Sequence, residues 1–417
     1  MRLIMISTEI SEKGTCSMTH PISTLFISCL AALTFLAAPA LASPASLGAR
    51  KVPAPVPAET PAAPAAAPAA PEASPGSPET PPAPTAPVSP APAPRPPEDP
   101  ITTVTLSAAG DCTLGTEESF GYEATFPAAW DAAGGDGSVF LAGVQSVFAK
   151  DDLTVVNLEG PLTTRGQRQD KTFAFRGDPA YVEVLKAGSV EAASLANNHS
   201  YDYGNDGYWD TFKTLGDNGI MPFGYEESQI LPVKGIPVGL VGINALEAGA
   251  ADQLVAELAK IREKGARLKV VYFHWGSELE THPDEDQVWL AHLAVDHGAD
   301  LVLGAHPHVI QPLETYKGKT ICYSLGNFCF GGNSNPGDKD TFIYQQTFRF
   351  RNGHLVGTDP GEVIPCRISS TPDWNDYRPT LVEGEEAERI KGKAKGLLQE
   401  QQSLFHAPNI PPTTIPR

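Results

Sequence analysis

The chain has 417 residues, with 30 Lys and Arg against 49 Asp and Glu, for a formal net charge of -19. A field of that sign repels polyanions and offers no face that neutralises phosphates, which excludes nucleic acid as a partner. Half of the 40 prolines fall between residues 43 and 100, so that stretch cannot be core, while the roughly 300 residues after it suffice for one large α/β core and exclude a fibrous or wholly disordered chain.

Taken in order, residues 1–42 end in an apolar run, LFISCLAALTFLAAPALA, closed by Ala40-Leu41-Ala42. This small-x-small ending is expected to be the cleavage site of a secretory signal peptide. A retained anchor helix needs about 20 uninterrupted apolar residues, and Pro39 breaks this run. The chain is therefore expected to be exported to the periplasm, the cell surface or the medium. Residues 43–100 are expected to be a disordered Pro/Ala-rich linker, extended in the polyproline II manner at about 3.1 Å per residue. Beyond it lie Cys112, Cys322, Cys329 and Cys366, an even number that allows three pairings or four reduced, buried thiols.

From residue 101 onward short β-branched runs alternate with helical stretches. Strands are expected at 103–108, 153–158, 192–196, 238–243, 268–273 and 301–304, and helices at 139–149, 179–187, 206–216, 250–264 and 285–297. That alternation implies layered β and α elements with buried sheets. Past residue 320 the pattern changes to strands at 321–324, 342–350 and 363–369, with a hairpin turn at Arg351-Asn352-Gly353. These are expected to form a second, mixed or antiparallel sheet region. The folded domain spans 101–380, and 381–417 hold a charged helix (385–401) and a loose tail.

Reactive groups in α/β folds collect just past the C-terminal ends of strands. Here those positions carry Asp111, Glu159, Asn198 with His199, His274, and His306 with His308. Two carboxylates, an amide and imidazoles form the donor set of a mixed oxygen and nitrogen site for one or two divalent cations, suited to Mn, Fe or Zn more than to Ca. The segment His306-Pro307-His308 is expected to be extended, with both imidazoles on one side. His199 stands beside the ligands as a candidate general acid, oriented by Asp202. His282, His292 and His297 are read as surface or helix-packing residues.

The motifs AAGDCTLG (108–115), NLEGPLT (157–163), LANNHSYDYGNDG (195–207), the long run 273–314 with GAHPHVIQ, and YSLGNFCF (323–330) resemble the CapA-type poly-γ-glutamate capsule biosynthesis proteins of the calcineurin-like metallophosphoesterase superfamily. The resemblance implies a four-layered α/β/β/α sandwich. It also implies metals held by Asp111, Glu159, Asn198, His274, His306 and His308, with His199 as proton donor. The wider superfamily opens with Asp-x-His, whereas Cys112 and Thr113 follow Asp111 here, so one imidazole of the first metal site is missing. Asn-Leu-Glu likewise stands where the superfamily has Gly-Asp-x-x-Asp.

Two functions follow as expectations. One is an exported metal-dependent hydrolase or transferase, in which a metal-activated water attacks a phosphoryl or acyl centre and His199 protonates the leaving group. The other is a non-catalytic, metal-binding accessory subunit. The resemblance implies, as partners of either, a cell-envelope or capsule polymer and its membrane synthesis and export machinery.

Overall fold

The structure, a computed structural model, describes residues 99–395. The expected signal segment, the linker up to residue 98 and the tail from residue 396 lie outside the described residues. In chain order the first elements are β1 (Ile101–Thr113), β2 (Thr116–Glu117), α1 (Phe126–Ala132), α2 (Gln145–Phe148), β3 (Leu153–Leu158), β4 (Phe175–Arg176), α3 (Val182–Ala187), β5 (Ala192–Ser194), α4 (Gly204–Asp217) and β6 (Met221–Phe223). There follow β7 (Gln229–Val233), β8 (Ile236–Asn244), α5 (Ala250–Glu263), β9 (Leu268–His274), α6 (Glu285–Asp296), β10 (Leu301–Ala305), β11 (Ile310–Tyr316) and β12 (Lys319–Leu325). Last come β13 (Asn327–Phe330), β14 (Asp340–Arg351), β15 (His354–Thr358), β16 (Glu362–Arg367), β17 (Thr380–Leu381) and α7 (Gly384–Lys393).

Two sheets carry the fold. One is nine-stranded, ordered β17-β16-β14-β1-β3-β5-β6 with β13 added against β1 and β15 against β14; the other is six-stranded, ordered β11-β12-β10-β9-β8-β7. Side chains alternate across each strand, and the core divides accordingly. Leu106 and Val155 of the first sheet meet Leu240, Val270 and Leu303 of the second in the layer between the sheets. The opposite face of the first sheet, with Val156 and Ala193, packs on Val184, Leu185 and Leu215 of α3 and α4. The opposite face of the second, with Val241 and Phe273, packs on Leu254, Leu258 and Val288 of α5 and α6. The result is the four-layered α/β/β/α sandwich. Each such buried aliphatic side chain contributes about 1.5–3 kcal/mol.

Local signals set the helix boundaries. Asp284 caps α6 through a reciprocal pair of bonds with Gln287, which satisfies two otherwise orphaned donors. A continuous helix over 139–149 is not formed; that segment holds only a short turn at Gly137–Val139 and α2. Phe140, Leu141, Val144 and Phe148 are buried at helical spacing, but Gly143 approaches the backbone of residue 379 so closely that a Cβ there would lie 2.6 Å from Pro379 O.

The strands after residue 320 do not form a sheet of their own. β12 joins β10 of the six-stranded sheet, whereas β14 runs antiparallel to β1 and draws β16 and β17 into the nine-stranded one. The turn at Asn352-Gly353, with φ of 53° and 74°, returns the chain into β15, not into β16. All four cysteines of the folded part are buried and free. Among the described residues no helix is long and apolar enough to cross a membrane.

Candidate metal centre

Register places the chemistry. Parallel β1 and β3 pair Asp111 with Asn157, and β9 and β10 pair His274 with Ala305. The C-terminal ends of the central strands of both sheets therefore open on the same place. Tyr272 Oη donates to Ala109 O across the sheets at 2.7 Å, and the His306 amide donates to Asp111 Oδ2 at 3.2 Å. The strand β1 reaches that place through a register shift between Ala108 and Asp111, a bulge of the kind that re-aims a side chain. Gly110 at the bulge has no substitute, since a Cβ there would lie 1.8 Å from Gly326 O.

All six expected ligands meet there. Glu159, His306 and His308 each present one ligand atom, all within 4.8 Å of one another. Asp111 Oδ2 lies 3.3 Å from His308 Nδ1, and His274 Nε2 lies 3.6 Å from Glu159 Oε1. Asn198 Oδ1 accepts from His274 Nε2 at 2.8 Å. Two atoms set this cluster apart from a satisfied polar core. Glu159 Oε1 and His306 Nδ1 are buried without any hydrogen-bond partner, a costly condition that a cation between them would relieve. The donor set of carboxylate and imidazoles fits a divalent transition metal.

The electrostatics agree with that fit. Burial pushes the Glu159 carboxyl well above its ordinary range, His308 opposing the rise and Asp111 adding to it. His308 is raised, because Glu159 and Asp111 together outweigh the lowering by burial. Burial, reinforced by the neighbouring His308, lowers His306 to about 4, and burial with His306 and His308 lowers His274 well below its ordinary value. Burial thus disfavours the charged form of both rings, and a metal ligand must be neutral.

The expectation of an extended His306-Pro307-His308 segment is not met. His306 and His308 have φ of 94° and 57°, a left-handed backbone held by the bond of the His306 amide to Asp111 and of the Leu279 amide to Pro307 O. The two imidazoles still converge, their centroids 5.8 Å apart. Strain of this kind, costing about 1–3 kcal/mol, persists where surrounding contacts over-determine it.

His199 stands at the rim. Its Nδ1 lies 2.7 Å from Asp202 Oδ2, and its Nε2 lies 3.9 Å from Glu159 Oε1. Asp202 is fixed in turn by the Phe175 amide at 2.6 Å and by Lys171 Nζ at 2.7 Å. A proton on Nδ1 satisfies the shorter contact, to Asp202, although Lys171 Nζ, a donor only, lies 3.3 Å from the same nitrogen; Nε2 is the atom presented to the site.

Four residues gain a role that the sequence reading did not give them. Asn157 donates to Asp111 Oδ1 at 2.8 Å, and Asn197 donates to Asn157 Oδ1 at 3.2 Å while accepting from the His199 amide. Asn327 Oδ1 lies 2.9 Å from His308 Nδ1. Lys171 Nζ also donates to Asn198 O at 2.8 Å. Neither residue after Asp111 replaces the missing imidazole. Cys112 packs among the apolar residues of the helical layer, where burial pushes its thiol up to about 12, and Thr113 Oγ1 donates weakly to Glu159 Oε2 at 3.5 Å. Of the other histidines, His292 packs on Tyr316 and bonds Glu314 at 3.0 Å.

The profile of the family described as bacterial capsule synthesis protein PGA_cap matches residues 105–332, more than half of the chain and the whole of the motif region. The chain is 30% identical over 210 residues to the PGA biosynthesis protein CapA of Bacillus subtilis (strain 168), covering 45% of this chain and 55% of that protein. It is 35% identical over 226 residues to the capsule biosynthesis protein CapA of Bacillus anthracis, covering 48% and 54%. The chain thus spans about half the length of these curated relatives. Among solved structures, the calcineurin-like phosphoesterase YfkN from Bacillus subtilis aligns at 12% identity with a TM-score of 0.40, covering 73% of this chain and 98% of that one.

Proposed function

The chain belongs to the PGA_cap family of bacterial capsule synthesis proteins, and from that premise we propose that it is an exported, divalent-metal-dependent hydrolase acting in capsule or poly-γ-glutamate biosynthesis or export. The observation that carries the reading is the pair of buried, unpartnered atoms, Glu159 Oε1 and His306 Nδ1, that face one another's neighbourhood with His308. Glu159, His306 and His308 would hold a Mn, Fe or Zn ion, with Asp111, His274 and Asn198 completing or sharing the shell. Bound there, such an ion supplies Lewis-acid polarisation of a phosphoryl or acyl oxygen and a water ionisable near neutral pH.

The chain's own residues do the rest. His199 presents Nε2 toward the centre and carries a proton to the leaving oxygen. Asp202 holds the ring through Nδ1, and Lys171 and the Phe175 amide hold Asp202. Asn157 and Asn197 tie Asp111, the β3 end and the His199 backbone into one rigid unit. Hydrolysis of a phosphodiester or amide probe by the full chain should stop on chelation and return with added Mn or Zn. Activity unchanged after exhaustive chelation would remove the metal from the mechanism.

A second reading, an accessory subunit that keeps the metal only for shape and docks on the polymer-synthesis machinery, is favoured by Thr113, where the wider superfamily has an imidazole. Metal content that is stoichiometric in a protein with no turnover on any probe would select it. Export rests on the apolar run before Ser43; fractionation of cells expressing the full chain tests it, and protein found only in the cytoplasm would overturn it.

A further inference from the structure

The candidate centre opens into a cleft of about 520 Å³ with His199, His308 and Asn327 along its wall. One side of that cleft is apolar and exposed, while Glu278, Asn333, Ser334 and Asp338 line the rest. Phe173 is 48% exposed and Leu279 is 71% exposed, and both line it together with Phe120, Phe175 and Phe330. None of the described residues lining it is Lys or Arg. Its carboxylates are Glu278 and Asp338, the latter paired with Lys393 at 2.7 Å.

The apolar wall is built, not incidental. Phe173 stacks on Phe175 with an interplanar angle of 9°, and Phe175 lies 4.5 Å from the His199 ring, so the aromatic surface runs continuously from the solvent to the His199 imidazole. The loop that presents Phe173 is pinned by Arg168, which donates to both carboxylate oxygens of the buried Glu117 and to Lys171 O and Thr172 O. Leu279 has φ of 64°, a strained conformation for a branched residue, held by its amide on Pro307 O at 2.8 Å. A large apolar side chain kept in water on a strained backbone, directly beside His306 and His308, calls for something that covers it.

We infer that this cleft is a subsite for an uncharged ring carried by the substrate next to the reacting group, and that it disfavours a polyanionic chain. Flat ring faces stack on exposed aromatic walls, whereas a run of carboxylates would meet Glu278 and Asp338, and the nearby Lys393 is already paired with Asp338. The inference rests on the capsule branch of the proposed function and not on its poly-γ-glutamate branch, because it names a ring-bearing substrate class for the same site.

The test uses the full chain loaded with Mn, its metal content measured first, and equilibrium binding of phenylphosphonate, glucose 1-phosphate, methylphosphonate and tri-γ-glutamate. Phenylphosphonate or glucose 1-phosphate should bind about tenfold more tightly than methylphosphonate, the two arms separating an aromatic ring from a pyranose face. Phe173→Ala and Leu279→Gly should each reduce that ratio toward one and leave methylphosphonate binding and metal content unchanged; glycine accepts the backbone angle at residue 279, so the second variant folds without strain. A loaded protein that shows no ring preference, or that binds tri-γ-glutamate more tightly than either ring with no effect of Phe173→Ala, overturns this inference alone. A protein that takes up no metal overturns the proposed function and this inference with it.

Discussion

His199 is held at three points: its Nδ1 by Asp202, its amide by Asn197 Oδ1, and its ring face by Phe175. None of these contacts involves a side-chain atom of the cation trio, so loss of the imidazole should remove proton transfer without emptying the centre. His199→Ala should lower turnover by about 10²–10⁴ at unchanged metal content, whereas His308→Ala should lower the metal content itself; elemental analysis beside a rate measurement separates them. An equal metal loss in both would mean that His199 is a ligand. Lys171→Met, which frees one oxygen of Asp202, should lower turnover by about tenfold with metal retained. A second residue-scale effect lies away from the centre. Burial pushes the Glu191 carboxyl up to about 7, its bond from the Thr154 amide opposing the rise and Asp151 adding to it. A folded-state value above the unfolded one means that the contribution to stability is complete below the ordinary value of 4.5 and is lost as pH rises through about 7. Glu191→Gln keeps the Thr154 bond and cannot ionise, so its melting temperature should match the parent's at low pH and exceed it by about 2–4 °C at pH 8; parallel melting curves across that range would refute the assignment. The carboxylates and imidazoles of the centre were legible in the sequence because each stands at or just past the C-terminal end of a strand. Asn157, Asn197 and Asn327 were not, since an amide at a strand end usually marks a turn, and only the meeting of β1, β3, β5 and β13 shows that these three bridge one ligand to the next.

At the scale of elements, the centre depends on how closely β1 passes the turn between β12 and β13. The Asp111 amide donates to Gly326 O at 3.0 Å, which leaves no volume at Gly110. Gly110→Ala should therefore cost about 3 kcal/mol or more by overpacking and should also weaken metal binding, because the bulge that aims Asp111 must shift. Denaturant unfolding read beside metal content checks both; a stable variant with full metal binding would show that the approach is not needed. The β and α alternation from residue 101 to 305 was legible because each central strand is buried on both faces and reads as a continuous apolar run. What was not legible is partnership. A period-two pattern says which side chains share a face but not which strand lies beside it, so β12 and β14, similar in sequence character, were not seen to belong to different sheets. The short β6, β7, β11, β13 and β15 were missed for the same reason: each forms because a neighbour's edge is already in place. The segment 139–149 shows the converse error, where a helical spacing of apolar residues was satisfied by turns because Gly143 had to meet the chain at residue 379.

For the whole molecule, the formal charge of -19 acts on stability as a diffuse self-repulsion, whereas the centre acts as a local one. Glu159 is fully buried, and one of its oxygens is unpartnered, so without a cation the fold must carry a carboxylate that burial disfavours. A cation that binds the folded chain and not the unfolded one adds RT ln(1 + [L]/Kd), about 2.7 kcal/mol at a hundred times Kd. For a domain of this size that is about 5–10 °C in melting temperature. Glu159→Gln separates the two states by sign. In chelator the amide is neutral and the variant should melt at or above the parent; in excess Mn or Zn the ligand is gone and it should melt below. His308→Ala, which removes an imidazole that pairs with Glu159 and Asp111, should melt below the parent in both conditions, with the increment from metal reduced. Raising the salt concentration screens the diffuse charge in every protein and both conditions alike, so it should shift all the curves together without altering the crossing. Parent and Glu159→Gln curves that keep the same order with and without metal would show that the buried carboxylate belongs to a polar core and not to a cation site.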